Sequence, residues 1–342
     1  MQINLRGLGL LWCLLALAAC QKGGGVPPQV AYYHWKSVVD LSAGEVERLN
    51  GEGVRRLYVK YMDVDWEGGQ AVPKAPVEFR GDAWRAFEIV PTVFITNRTF
   101  LEGANPRVLA GQVARFLSEA NEANGAAPTE YQFDCDWSGA TRLPYFAFLE
   151  EVRRLLGGAA LSVTIRLHQL RYPEQAGVPP ADRGVLMYYN MGDISSLEEP
   201  NSILNNRTGA RYLQAGQGYA LPLDYALPVF SWVLAYRLGE LKFILNQAEC
   251  AALDTLAGVE KLKEGQYQVG QNTYFGYHYL NAGDRLRCES ASLAALEEAV
   301  RQLSKIQNQS EQLIFYHLDE KALGGYPPGL AQHLAEQLAG AQ

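Results

Sequence analysis

The sequence predicts an α/β protein built on a closed parallel (β/α)8 barrel, with an elaborated insertion before the last strand. From residue 30 onward, eight short runs rich in Val, Ile, Tyr and Phe alternate with amphipathic helical stretches. Repeated strand–helix alternation builds a parallel sheet covered by helices. No Gly-rich phosphate turn follows the first run, and no G-x-x-x-x-G-K-[ST] occurs. The runner-up, an open doubly wound sheet, therefore lacks its usual nucleotide crevice. The 342 residues, 48% hydrophobic and 20% charged, exclude a disordered chain and can fill one large barrel or two domains.

Residues 1–19 read as an export signal: Arg6 supplies the positive start, and the apolar stretch 8–19 is too short to span a bilayer. Leu17-Ala18-Ala19-Cys20 resembles the bacterial lipobox, which implies that Cys20 becomes the lipidated first residue. Gln21, in place of Asp, points to the outer membrane in the lipoprotein-sorting pattern. Residues 20–29, with three consecutive glycines and two prolines, read as a flexible tether. The expected location is the bacterial cell envelope, facing the periplasm. A net charge of -7 without a basic stripe argues against a nucleic-acid partner.

Predicted strands cover 30–36, 56–62, 88–96, 130–137, 161–169, 184–191, 226–232 and 313–319, each bounded by polar, Gly or Pro residues. Predicted helices cover 43–52, 106–123, 143–156, 292–306 and 329–338; the third places Phe146, Leu149, Val152, Arg153 and Leu156 on one stripe. Residues 30–342 form one barrel domain in this reading. Helix signals are poor over 193–225, and 233–312 is too long for one crossover, so it reads as the insertion. Cys250 and Cys288 lie there, and an oxidising periplasm allows them to pair. Cys135 reads as a buried small hydrophobe.

Functional groups of such a barrel gather at the C-terminal strand ends, and alternation sorts each strand into a lumen face and a helix face. In the fourth strand Gln132, Asp134 and Asp136 share the lumen face, with the two carboxylates about 7 Å apart. Like charges that close raise one pKa and favour a proton-holding acid. The alternative is a structural pair neutralised by a cation. The fifth strand adds Arg166 and His168, the second Lys60 with Asp63 and Asp65 in the loop beyond, and the eighth His317 and Asp319. The first presents either His34 and Lys36 or, in the opposite register, Trp35. Tyr189, Asn190 and Trp232 offer stacking and amide contacts suited to a sugar. No H-E-x-x-H, paired C-x-x-C or G-x-S-x-G occurs, so neither a metal, a cofactor nor a serine nucleophile is expected.

Phe133-Asp134-Cys135-Asp136-Trp137 resembles the fourth-strand motif D-x-x-D-x-D-x-E of the family 18 glycoside hydrolases, the chitinases. Met187-Tyr188-Tyr189-Asn190 is similar to that family's M-x-Y-D, with Asn for Asp. Tyr131 replaces the first Asp, and Ser138 stands where the resemblance implies the catalytic Glu. Tyr33-His34-Trp35-Lys36 and Leu223-Asp224-Tyr225-Ala226-Leu227-Pro228 look like segments of a group of uncharacterised bacterial lipoproteins with a glycosidase-like barrel.

The resulting expectation is a lipid-anchored barrel that handles a carbohydrate or cell-envelope glycan. Asp136 would act as acid/base and Asp134 would tune it. Arg166, His168 and Asp319 would orient groups or stabilise charge, and Trp232 would form a stacking floor. Two-carboxylate hydrolysis needs a second acid across the sugar, a role for Asp319 or Asp63. The rival is a noncatalytic glycan-binding or scaffold lipoprotein.

Overall fold

The computed structural model describes residues 25–214, 218–246, 248–306 and 310–340. The expected leader, Cys20 and the start of the tether lie outside the described residues. Eight parallel strands follow one another in chain order: β1 Gln29–His34, β2 Arg56–Glu67, β3 Glu88–Ile95, β4 Glu130–Asp134, β5 Ala160–Arg166, β6 Arg183–Met187, β7 Leu223–Pro228 and β8 Gln312–Tyr316. β1 pairs with both β8 and β2, so the sheet closes and the open-sheet alternative is excluded. One antiparallel strand, Gln70–Lys74, extends β2 beyond the ring.

Local chemistry sets the helix ends. Ser42 and Glu45 form a reciprocal capping box on the helix Ala43–Gly51. The helix Pro106–Asn124 starts behind an Asn105 cap with Pro at its first turn and stops at Gly125, whose φ of 64° suits a residue without Cβ. The helix Arg142–Leu155 buries Tyr145, Phe148, Leu149 and Val152. Its core stripe is thus rotated from the expected one, because Arg153 turns outward to Asp182, 3.0 Å away.

The seventh predicted strand, 226–232, straddles two elements. β7 stops at Pro228, and Ser231 opens a separate antiparallel sheet made of Ser231–Arg237, Glu240–Asn246, Val259–Lys263, Gln266–Val269 and Arg285–Ser290. The insertion is therefore 231–290 rather than 233–312, since the helix Leu293–Leu303 packs against Leu330–Gly340 in the barrel's outer layer. It has its own core around Val233, Leu245, Leu253, Tyr267, Val269 and Leu286. Cys250 and Cys288 are disulfide-bonded across it, with Cα atoms 5.6 Å apart.

A buried polar knot joins the insertion to the barrel. Arg287 Nε lies 2.5 Å from Glu289 Oε1, both side chains being almost fully buried. Glu289 Oε2 accepts from Trp232 Nε1 at 2.7 Å, Ser202 Oγ at 2.6 Å and the Ser202 amide at 3.0 Å. Arg287 also donates to the Ser196 carbonyl, which ties down the loop after β6.

Candidate functional site

One bond decides the register of β1. Tyr33 Oη donates to Gln132 Oε1 at 2.8 Å, and because β1 and β4 are not neighbours the bond crosses the lumen. Tyr32 Oη instead reaches Glu52 Oε2 at 2.6 Å, beside the helix Ala43–Gly51. Tyr33 and Trp35 therefore face inward, and His34 faces the helix layer. Replacing Tyr33 by Phe strands one buried amide oxygen and is expected to cost about 1–2 kcal/mol, read by urea unfolding.

His34 is fully buried there; burial, with repulsion from Lys36 and His317, holds its pKa down at about 4. Lys36 bridges Glu45 at 3.1 Å and Asp319 at 3.3 Å. Asp319 caps the helix Glu320–Gly324, accepting from the Lys321 and Ala322 amides at 3.1 Å. β8 ends at Tyr316, so strand alternation no longer orients His317 and Asp319. His34, Lys36, His317 and Asp319 thus cluster outside the barrel wall, and Asp319 is engaged as a cap rather than set opposite Asp136.

Inside the barrel, register arranges the groups of β4 and β5. Gln132 pairs with Ser162, so each further pair of residues brings the next two lumen side chains together. Thr164 Oγ1 donates to Asp134 Oδ1 at 2.6 Å. Arg166 contacts both oxygens of Asp136, with Nη2 3.2 Å from Oδ2. Burial pushes the Asp134 pKa up to about 6; Arg166 and the Thr164 hydroxyl oppose the rise, and Asp136 and Asp63 add to it. Burial works against the charge of Arg166, but attraction to Asp136 and Asp134 outweighs it and raises its pKa. Of the two carboxyls, Asp134 is the buried one, only 4% exposed and with its pKa raised, while Asp136 is the open, arginine-paired group.

β2 contributes through a bulge that sequence alternation did not reveal. Its register shifts between Lys60 and Met62. Tyr61 bonds Asn121 and Met62 lines a cleft beside the helix Pro106–Asn124, so two consecutive side chains point outward. Asp63 thereby returns to the face of Lys60, and their charged atoms meet at 3.0 Å. Lys60 Nζ also sits 6.0 Å over the Trp35 ring. Trp35, Tyr33, Tyr189 and Phe230 all contact Tyr316, with ring centroids 5.1–5.8 Å apart. Trp232 does not form a floor of this mouth: it lies on the insertion sheet, buried, with its indole held by Glu289.

Above the β4, β5 and β6 ends opens a cavity of about 330 Å³, lined by Asp136, Arg166, His168, Tyr189, Asn190 and Tyr212 among others. Five of these are sequence candidates that the fold brings together. Tyr212 is new and comes from the short helix Asn206–Leu213, in the span whose helix signal was weak. Asn190 takes a positive φ of 52°, which Asn tolerates, and its amide bonds the Ile203 carbonyl at 2.8 Å. His168 sits on the exposed rim; burial lowers its pKa, and Asp136 partly restores it. Ser138 lies just past β4, its amide donating to Thr141 Oγ1 at 2.8 Å. Among the described residues no group of three or more His, Cys, Asp or Glu could hold a metal ion.

No protein-family profile matches the sequence, and no curated protein matches it. Solved structures do. The Bacillus cereus spore cortex-lytic enzyme SleL superposes with a TM-score of 0.59 at 15% identity, covering 92% of this chain and 75% of that one. A Chromobacterium violaceum chitinase gives 0.56 at 14% identity, covering 92% and 99%. The fold is a closed (β/α)8 barrel like that of these proteins. Catalytic domain 2 of an Ostrinia furnacalis Group II chitinase, as a mutant in complex with a chitooligosaccharide, gives 0.55 at 10% identity, covering 92% and 97%. At these identities the chitinase-like likeness concerns architecture, and function must come from the side chains at the mouth.

Proposed function

We propose that the chain is a cell-envelope lipoprotein whose barrel mouth binds a glycan built of N-acetylated sugars. The observation that carries the reading is the open cavity in which Asp136, Arg166 and Asn190 offer charged and amide hydrogen-bonding groups beside the rings of Tyr189 and Tyr212. A sugar presents hydroxyls to the former and an apolar ring face to Tyr212, while Tyr189, 5% exposed and stacked on Tyr316, closes the cavity from below. The chitinases and the cortex-lytic enzyme among the structural neighbours support a glycan as ligand.

Binding is favoured over hydrolysis because Asp136 is the one carboxylate among the described residues lining that cavity and is engaged by Arg166, while the motif resemblance implies that Ser138 takes the place of the acid. Two-carboxylate hydrolysis needs a second acid across the sugar. Hydrolysis is the second reading on one geometric observation: Asp134 lies on the lumen face below Asp136, held by the Thr164 hydroxyl at 2.6 Å, where burial raises its pKa to about 6.

Titration calorimetry with soluble chitooligosaccharides and with peptidoglycan glycan fragments tests the proposal. Wild type should bind without releasing reducing ends, and Arg166→Met should weaken binding by about tenfold or more. Absence of binding to every glycan rejects the reading; turnover that vanishes in Asp134→Asn establishes the hydrolytic one. The anchor is tested separately: labelled palmitate should be incorporated by wild type and not by Cys20→Ser.

A further inference from the structure

The insertion carries an aromatic surface that the barrel site does not use. Its hairpin pairs Thr273–Phe275 with His278–Leu280, with Tyr274 opposite Tyr279 and Phe275 opposite His278. One face is anchored: Leu280 is fully buried, Phe275 packs on the insertion core, and His278 stacks on Phe243 with centroids 5.1 Å apart. The other face is bare. Tyr274 is 64% exposed, Tyr279 45%, and Tyr277 at the tip is completely exposed. Tyr274 and Tyr279 hold each other edge to face at 5.0 Å. Gly276, with φ 59°, makes the tight turn that projects Tyr277.

Charge says what this face is for. Residues 265–283 contain no Lys, Arg, Asp or Glu, although the chain-wide 20% would place about four there. Anionic membranes recruit Lys and Arg, which are absent from the segment. Protein interfaces also use tyrosine, but pack it together with aliphatic side chains in a dry core, whereas this hairpin turns its aliphatic residue, Leu280, inward and leaves only tyrosines on the bare face. Exposed tyrosines fixed on a rigid support match an uncharged polymer with alternating apolar faces and hydroxyl edges.

We infer that this tyrosine hairpin is a second glycan contact, one that adsorbs the protein onto extended, solid-phase polysaccharide while the barrel mouth takes a single strand. The inference rests on the proposed glycan-binding function. Two weak contacts on one chain raise the apparent affinity for a multivalent surface and leave affinity for a short soluble ligand unchanged.

The test is a pull-down of the full chain on insoluble chitin and on purified peptidoglycan, alongside calorimetry with a soluble chitooligosaccharide. Tyr277→Ser touches no packed neighbour, and the triple change Tyr274→Ser, Tyr277→Ser, Tyr279→Ser removes the face. The triple variant should lose solid-phase retention by about tenfold, with the single variant intermediate, while soluble affinity stays within about twofold of wild type. Retention equal to wild type overturns the inference. So does hairpin-dependent binding to phosphatidylcholine vesicles, or a hairpin-dependent change of sedimentation that reveals self-association. Arg166→Met separates the two sites: it should lose soluble binding yet keep hairpin-dependent retention, and if wild type itself shows no soluble binding while hairpin-dependent retention persists, the mouth reading falls and the hairpin stands.

Discussion

Asp134→Asn should make the protein more stable at neutral pH and leave it unchanged in acid. The folded state raises this carboxyl from 3.8 to about 6, chiefly by burial. Between those values the folded chain keeps a proton that the unfolded chain releases, so wild-type stability falls as pH climbs through the window. Above pH 6 nearly the full cost is present, about 3 kcal/mol for a carboxyl moved from 3.8 to about 6. Asn keeps an oxygen for the Thr164 hydroxyl and has no charge to bury. Urea unfolding of both proteins should therefore give matching curves near pH 3 and a gap of about 3 kcal/mol at pH 7.5. An equal gap at both pH values, or a less stable variant at pH 7.5, would show that the carboxylate is better solvated than its 4% exposure implies.

Arg287→Met should cost more than any other single change considered for this chain. The guanidinium is 1% exposed and faces Glu289, which is 2% exposed and also receives bonds from Trp232 and Ser202. Removing the cation leaves a buried carboxylate with its charge uncompensated, a loss of about 3–5 kcal/mol. The loop contacts at Ser196 and Ser202 go with it. Adding Glu289→Gln to Arg287→Met should recover part of the loss, since the orphaned charge then disappears. Thermal unfolding decides it: a cost under about 1 kcal/mol for Arg287→Met would mean water enters the knot and solvates Glu289.

Much of the architecture was readable in the chain because each barrel strand is a short apolar run and its faces alternate. Gln132, Asp134, Ser162, Thr164 and Arg166 all fall on the lumen side that alternation assigns, and Cys135 is buried as a small hydrophobe. Reading failed where apolar continuity hid a boundary. Pro228-Val229-Phe230-Ser231-Trp232 looks like one strand, yet the barrel strand ends within it and a second sheet begins. β1 carries rings on both faces, so only the long-range bond from Tyr33 to Gln132 chooses between them. Asp63 reads as a loop residue because the apolar run ends at Met62, whereas β2 continues to Glu67 and a bulge without compositional mark sets the face of Asp63. His317 and Asp319 follow the last strand residue, where periodicity has no further hold on side-chain direction.

The insertion leaves and rejoins the barrel side by side, since Ser231 at its entry is paired with Ser290 at its exit. Backbones paired in this way stand about 5 Å apart, a gap that one or two residues can bridge. The sheet with its disulfide is therefore a detour from the ring, whose eight-strand connectivity passes from Pro228 to the helix Leu293–Leu303 without needing it, and whose ties to it include the Ser196 and Ser202 contacts.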